Sequence, residues 1–489
     1  MNMRCVIAID QSTQGTKALL LGDNAKIISK AYLEHRQIIS PEGYISHDPD
    51  EILTNVCKVV KKIICAVPDA EISAIGITNQ RETIVAWDSV TGKPFINAIV
   101  WQCSRAKNIV SALTEYQKSV IETKTGMPVS PYFPAAKIRW ILENVLKAKE
   151  LAEQGRLRFG TIDAWLISKL TGTYKTDVSN ASRTQLMNIV SLDWDDELLD
   201  IFGISKNMLP QICASDSCFG ETDFCGILKE KVPICAVLGD SHAALFAQHC
   251  HSPGQLKVTY GTGSSAMMNT GAEIVRSSNG LASSVAWSFR GKTDYVLEGN
   301  INYSGAVISW LKNDLKLINT SEETEKLALK ANRSDKTYLV PAFSGLGAPY
   351  WFDDAKASIT GMTRLTGKAE IVRAALDSIA YQINDILSAM SKDSKIPIRH
   401  ISVDGGPTNN RYLMQFQSDI SMAVIRVSEV SELSGMGVGF MAGISAGLFT
   451  EDEAFSTLEY ISYAPKMSDK ERCSLINGWR CAIETLIGK

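Results

Sequence analysis

Residues 6–21 read VIAIDQSTQGTKALLL: an apolar run from Val6 to Ile9, a carboxylate at Asp10, a small polar turn from Gln11 to Thr16, and a second run from Lys17 to Leu21. Two short apolar runs joined by such a turn form a hairpin. The same plan returns in the second half of the chain. Leu256 to Tyr260 forms a strand, Gly261-Thr262-Gly263 a tight turn, and Ser265 to Asn269 a returning strand. Repetition of one module at a long interval points to duplicated units.

Outward from the hairpins, Ile75 to Thr78 and Thr83 to Trp87 read as further strands. Tyr132 to Ala148 has helical periodicity, with Ile138, Ile141, Leu142 and Val145 on one face. Strands alternating with helical patterns give an α/β fold. A chain of 489 residues exceeds what one core usually supports. The breaker cluster His251-Ser252-Pro253-Gly254 stands just before the repeated strand, which divides the chain into residues 1–248 and 249–489. The charge-free stretch from Leu433 to Thr450 approaches transmembrane length but carries five glycines, and reads as a helix packed closely on a sheet.

Composition narrows the function. The chain is 45% hydrophobic and 21% charged, with a net charge of -3 and no basic stripe, so neither nucleic acid nor an anionic membrane is an expected partner. The apolar stretch from Cys5 to Ile9 is too short for a signal sequence. With eleven cysteines, an odd number, the expectation is a cytoplasmic protein with reduced thiols, and the loose group Cys213, Cys218, Cys225 and Cys235 is not read as a zinc site.

Three aspartates, Asp10, Asp240 and Asp404, end apolar runs. Ligands of open α/β sheets bind outside the carboxyl ends of strands, where such carboxylates stand; taken singly, each could equally be a turn or cap residue. Thr13, Gly15 and Thr16 after the first strand, and Gly261-Thr262-Gly263 after its repeat, offer backbone N–H and hydroxyl donors for phosphate oxygens. Neither turn matches a Walker A or strand-GxGxxG-helix pattern. Asp404-Gly405-Gly406, before a helix expected over Arg411 to Ser421, would close a clamp on a nucleotide from a third side.

This constellation resembles the actin, hexokinase and heat-shock ATPase superfamily. Within it, the chain resembles the FGGY carbohydrate kinases through YFPAAKIRWI at 132–141, and through ASITG at 357–361 with Glu370-Ile371 and AALD at 374–377. It is similar above all to glycerol kinase-like members, through TNQRET at 78–83, NAIVWQ at 97–102, NASRT at 180–184 and PAFSGLGAPYW at 341–351. The resemblance implies two ribonuclease H-like domains around a catalytic cleft, ATP and Mg²⁺ as cofactors, and a small polyol or sugar as substrate in a homodimeric enzyme. It implies Asp240 as general base, a grip on the substrate by Arg81, Glu82, Trp101 and Tyr132, and Asp10 supporting Mg²⁺ through water. Thr13, Gln14, Lys17 and Thr262 would meet the ADP phosphates, with Gly305, Gly406 and Asn410 near the nucleoside.

The chain departs from the glycerol kinase pattern at three positions in or beside these sites. Ser241 replaces glutamine beside the base, Ser265 replaces phenylalanine after the second turn, and Lys17 replaces arginine. Loss of an aromatic wall and gain of hydroxyls suggest a longer, more hydroxylated molecule, a four- or five-carbon polyol or ketose such as xylulose. The alternative is glycerol itself. An alternative of another class is an actin-like nucleotide-dependent binding module without sugar chemistry. The segment from Cys225 to Val232 lacks the glycine-rich loop that binds fructose 1,6-bisphosphate in bacterial glycerol kinases, so that control is expected to be absent.

Overall fold

A computed structural model describes residues 3–352 and 354–488. The first sheet is built on β1 (Met3–Gln11), β2 (Gly15–Gly22), β3 (Ile27–Glu34), β4 (Ala70–Asn79) and β5 (Val232–Gly239), in the order β5-β4-β1-β2-β3, with Glu221–Thr222 pairing outside β5. β1 and β2 are the expected antiparallel hairpin, whereas β1, β4 and β5 run parallel. Asp10 faces Thr78 across β1 and β4, and Gly239 faces Asn79 across β5 and β4. The register therefore brings Asp10, the turn after Asn79 and Asp240 to one edge.

Residues 5–11 of β1 are buried on both faces, as the unbroken apolar run dictates. Cys5, Ile7 and Ile9 pack with Ile52, Val56, Val59, Val60 and Ile63 of α1 (Pro49–Ala66), while Val6 and Ala8 face the other way. α1 starts where the sequence supplies a cap: the Asp48 carboxylate accepts from the N–H groups of Asp50 and Glu51, and Pro49 holds the first helical position.

The second sheet repeats the plan with β6 (Leu256–Tyr260), β7 (Ser264–Gly271), β8 (Ala282–Phe289), β9 (Lys292–Ile301), β10 (His400–Asp404), β11 (Val424–Ser428) and β12 (Tyr460–Tyr463), ordered β8-β9-β7-β6-β10-β11-β12. β6 is antiparallel to β7 and parallel to β10, which places Thr259 opposite Asp404. Its largest core cluster joins these strands to the helix Lys368–Ser394 and to Arg411–Ser421, the helix expected there.

Two details differ from the sequence reading. The helix expected over Tyr132 to Ala148 is two helices, Pro134–Asn144 and Leu146–Glu153, broken at Val145, which is extended at φ -112° and ψ 108°. The Asn144 side-chain amide donates to the Trp140 carbonyl at 2.9 Å, in competition with the helical ladder. The second concerns Leu433–Ser445, a helix as expected, which packs against the first sheet although it lies far along the second half of the sequence. Glycine makes this possible: a Cβ on Gly435 would lie 2.6 Å from Leu19 Cδ1 and one on Gly439 2.9 Å from Leu21 Cδ1, both in β2. Among the described residues, no helix is long and apolar enough to cross a membrane.

Candidate active site

The carboxyl ends of both sheets face a cleft of about 1130 Å³. Thr13, Gln14, Arg81, Glu82, Trp101, Tyr132, Asp240, Ser241, Thr262 and Ser265 all line it, together with Asn300. Asp240 opens the helix Asp240–Ala247 directly after β5, so its carboxylate projects from the end of a parallel strand. It is one-third exposed, and its Oδ1 accepts from the Ser241 N–H at 2.6 Å and lies 3.2 Å from Arg81 Nε.

Arg81 and Glu82 occupy the turn after β4. The amides of Asn79 and Asn180 fix that turn by donating to each other at 3.0 and 3.1 Å, and Glu82 adopts φ 61°, in the left-handed region. A side chain held in this conformation needs support from its surroundings. Here the support is a buried ion network. Arg81 donates to both oxygens of Glu298 at 2.8 and 3.0 Å, Arg183 Nε donates to Glu82 at 2.6 Å, and Arg183 Nη1 lies 3.1 Å from Glu298. Burial works to raise Glu298, but Arg183 and Arg81 overcome it and hold the carboxyl well below its usual range. Removing one partner from such a set costs about 3–5 kcal/mol, because the other charge stays buried.

Trp101 and Tyr132 form the apolar side of the cleft, with ring centroids 5.4 Å apart. The Trp101 indole donates to Thr13 Oγ1 at 2.9 Å, which links this side to the first hairpin turn. On the opposite wall, Ser265 Oγ donates to Glu298 Oε1 at 3.3 Å, and Asn300 faces Ser265 across β7 and β9.

The remaining candidates stand behind the walls. Asp10 is buried and its Oδ1 has no hydrogen-bond partner among the described residues; burial pushes the carboxyl up to about 7, against the pull of Lys17 and with Asp240 and Glu432 adding to the rise. Lys17 is turned to Glu432, with an ion pair at 2.7 Å. Gly305 starts the helix Gly305–Asn313 and donates to the Gly261 carbonyl at 2.8 Å, a close approach that a Cβ 2.7 Å from the same oxygen would prevent. Gly406 opens a short 3₁₀ turn, Gly406–Asn409. Asn410 caps the helix Arg411–Ser421 by accepting from Leu413 N–H at 2.9 Å and donates to Thr324 at 3.0 Å, so its side chain is committed within the protein.

Several groups that shape the site escaped the sequence reading. Arg183 and Lys137 lie inside motifs quoted above for resemblance alone. Glu298 carried a signal of its own, as an acid directly after the apolar run Tyr295 to Leu297 in β9. His242 is fully buried beside Arg81, with neither ring nitrogen bonded to any of the described residues; burial, with Arg81 next, holds its pKa well below the ordinary value. Lys257, lowered by burial, donates to Thr259 at 2.7 Å near Asp404, whose carboxyl burial raises and whose Oδ2 accepts from Gln248 at 2.6 Å.

Comparison with known proteins gives the family and the fold. The chain matches the N-terminal domain of the FGGY family of carbohydrate kinases over residues 5–247 and the C-terminal domain over residues 256–446. It is 46% identical over 489 residues to glycerol kinase 1 of Thermotoga maritima, covering 99% of both chains. The crystal structure of Plasmodium falciparum glycerol kinase with ADP superposes with a TM-score of 0.95 at 37% identity, over 99% of this chain and 98% of that one. A ligand-bound xylulose kinase from Lactobacillus acidophilus shares the fold, with a TM-score of 0.90 at 24% identity over 99% and 98% of the two chains.

Proposed function

The chain belongs to the FGGY family of carbohydrate kinases, and from that membership we propose that its substrate is glycerol, phosphorylated on a terminal hydroxyl. The enzyme is an ATP-dependent phosphotransferase with a two-domain α/β fold of the actin and hexokinase type, which sets aside an actin-like module without sugar chemistry. The observation that carries the finer reading is the convergence of Arg81, Glu82, Trp101 and Tyr132 on Asp240 in a chain matching glycerol kinases from end to end.

In this reading Arg81 and Glu82 exchange hydrogen bonds with vicinal hydroxyls, and the Trp101 and Tyr132 rings cover the carbon chain. Asp240 accepts the proton of the attacking hydroxyl, since phosphoryl transfer asks the protein mainly for position and charge. Thr13, Gln14 and Thr262 supply donors to the phosphates. Lys17 would join them on the phosphates by exchanging its ion pair with Glu432 for phosphate oxygens. The unpartnered, buried oxygen of Asp10 suits a hydrated divalent cation. Among the described residues no three His, Cys, Asp or Glu side chains converge as a ligand set, so Asp10 would hold Mg²⁺ with water and phosphate oxygens completing its shell. When bound, that ion neutralises charge on the transferring phosphoryl group. We place the division of labour near residue 248, polyol and base before it and nucleotide after it, with the helix Leu433–Ser445 shared between them.

The expectation of a four- or five-carbon substrate is less well supported than glycerol, because relatives at 46% and 41% identity are glycerol kinases. It survives as a second reading on one observation: Ser241, Ser265 and Asn300 give the wall opposite the aromatic pair a polar surface. Coupled ADP release with glycerol, erythritol, ribulose and xylulose separates the two. The expected result is the highest kcat/KM for glycerol, and a higher value for xylulose or erythritol would overturn it.

A further inference from the structure

We propose that Lys137 is the positioning residue of the polyol grip, one ammonium group that fixes Glu82, Trp101 and Tyr132 relative to one another through their backbone carbonyls. Lys137 lies in the helix Pro134–Asn144 and is fully buried. Its Nζ donates to the carbonyl oxygens of Tyr132 at 2.5 Å, Trp101 at 3.1 Å and Glu82 at 3.4 Å. A lysine ammonium has three N–H groups, and each is assigned to a different acceptor. Those acceptors belong to three of the four residues proposed to hold the polyol, so the inference rests on that reading of the site.

The three residues need such a tie. Each lies in a turn, outside any helix or strand: Glu82 after β4 with φ 61°, Trp101 after the two-residue strand Ala98–Ile99, and Tyr132 just before the helix that carries Lys137. No ladder sets their separation. Among the described residues Lys137 takes part in no ion pair within 4.0 Å, so the carbonyl dipoles are its direct partners. Burial pushes the ammonium down to about 7, Glu82 and Cys103 draw it back up, and Arg105 opposes them. A methionine would fill similar space without that desolvation. What the lysine adds is a common anchor for the aromatic wall and the Glu82 turn.

The test compares Lys137→Met, which removes all three donors, with Lys137→Gln, which restores N–H donors without charge. The assay uses the full-length enzyme and whichever polyol proves its best substrate, so a wrong identification of glycerol does not affect the outcome. Lys137→Met is expected to raise the polyol KM about 10- to 100-fold, as misplacement of reactants by an ångström does. KM for ATP should stay within about twofold, and Lys137→Gln should recover part of the loss. If Lys137→Met does not fold, a rise in polyol KM without a matching rise in ATP KM in Lys137→Gln carries the test. An unchanged polyol KM in the folded variants, or parallel loss of affinity for ATP and polyol, would overturn the proposal and leave Lys137 as part of the core. Absence of kinase activity in the unmodified enzyme with every polyol tested would overturn the reading of the site and the proposal with it.

Discussion

Between β1 and β2 the turn is closed by the Ser12 N–H donating to the Gly15 carbonyl at 2.8 Å and is held further by side chains, whereas between β6 and β7 it is held through glycine and main-chain groups. In the first turn Gln11 donates to the Ser12 carbonyl at 2.8 Å, Gln80 donates to Gln11 at 3.2 Å, and Trp101 donates to Thr13. In the second, Gly261 N–H donates to Gly263 and Ser304, Gly305 and Ala306 donate to Thr262 or Gly261, all through main-chain groups. In the proposed reading the duplicated hairpins meet the phosphates by different means: the first offers side-chain donors from Thr13 and Gln14 and is tied to the Trp101 wall, and the second offers main-chain N–H groups. Glu298 joins the two regions, reaching from β9 to the arginine that faces Asp240.

The largest effect should come from the base. Asp240→Asn is expected to lower kcat by about 10²-fold or more while ADP binding and folding persist. Calorimetry and coupled assays check this, and turnover within a few-fold of the unmodified enzyme would remove Asp240 from the role. Next is the bridge: Glu298→Gln leaves Arg81 and Arg183 buried without their shared carboxylate, which should cost about 3–5 kcal/mol of stability in denaturant unfolding. Polyol kcat/KM should fall more than ATP affinity, since both arginines belong to the polyol side. Equal losses for both ligands would mean that the polyol and nucleotide sites are not separate in function.

A smaller change is expected at the polar wall. Ser241→Gln with Ser265→Phe should shift the preference between xylulose and glycerol toward glycerol by about tenfold, the scale of one or two methylenes in a pocket. No shift in the kcat/KM ratio would show that these serines face away from the added carbons. The smallest effect sharpens the contrast between the hairpins. Thr262→Val removes one hydroxyl from a turn whose backbone donors remain, so KM for ATP should rise only severalfold, about 1 kcal/mol for one hydrogen bond, with polyol KM unchanged.

What could be read in the sequence is what depends on neighbours along the chain. Both hairpins, the strand-end aspartates and the Leu433–Ser445 helix follow from local periodicity, and most of the cleft wall follows from motif resemblance. Relations across the fold were hidden. Glu298 and Arg81 are 217 positions apart, and Lys17 and Glu432 are 415 apart, so nothing in either neighbourhood announces its partner. The break at Val145 was missed for a different reason, because the apolar spacing continues through a residue whose backbone is extended. Likewise, a sequence boundary near residue 248 does not foresee that a later helix completes the first sheet's core.

The identity of the product tests the glycerol kinase assignment most directly. With glycerol and ATP·Mg²⁺ in excess of the enzyme, phosphorus NMR should show ADP and a phosphomonoester of a primary alcohol accumulating in equal amounts. Release of inorganic phosphate in place of the ester, or no turnover of glycerol while xylulose is converted, would contradict it.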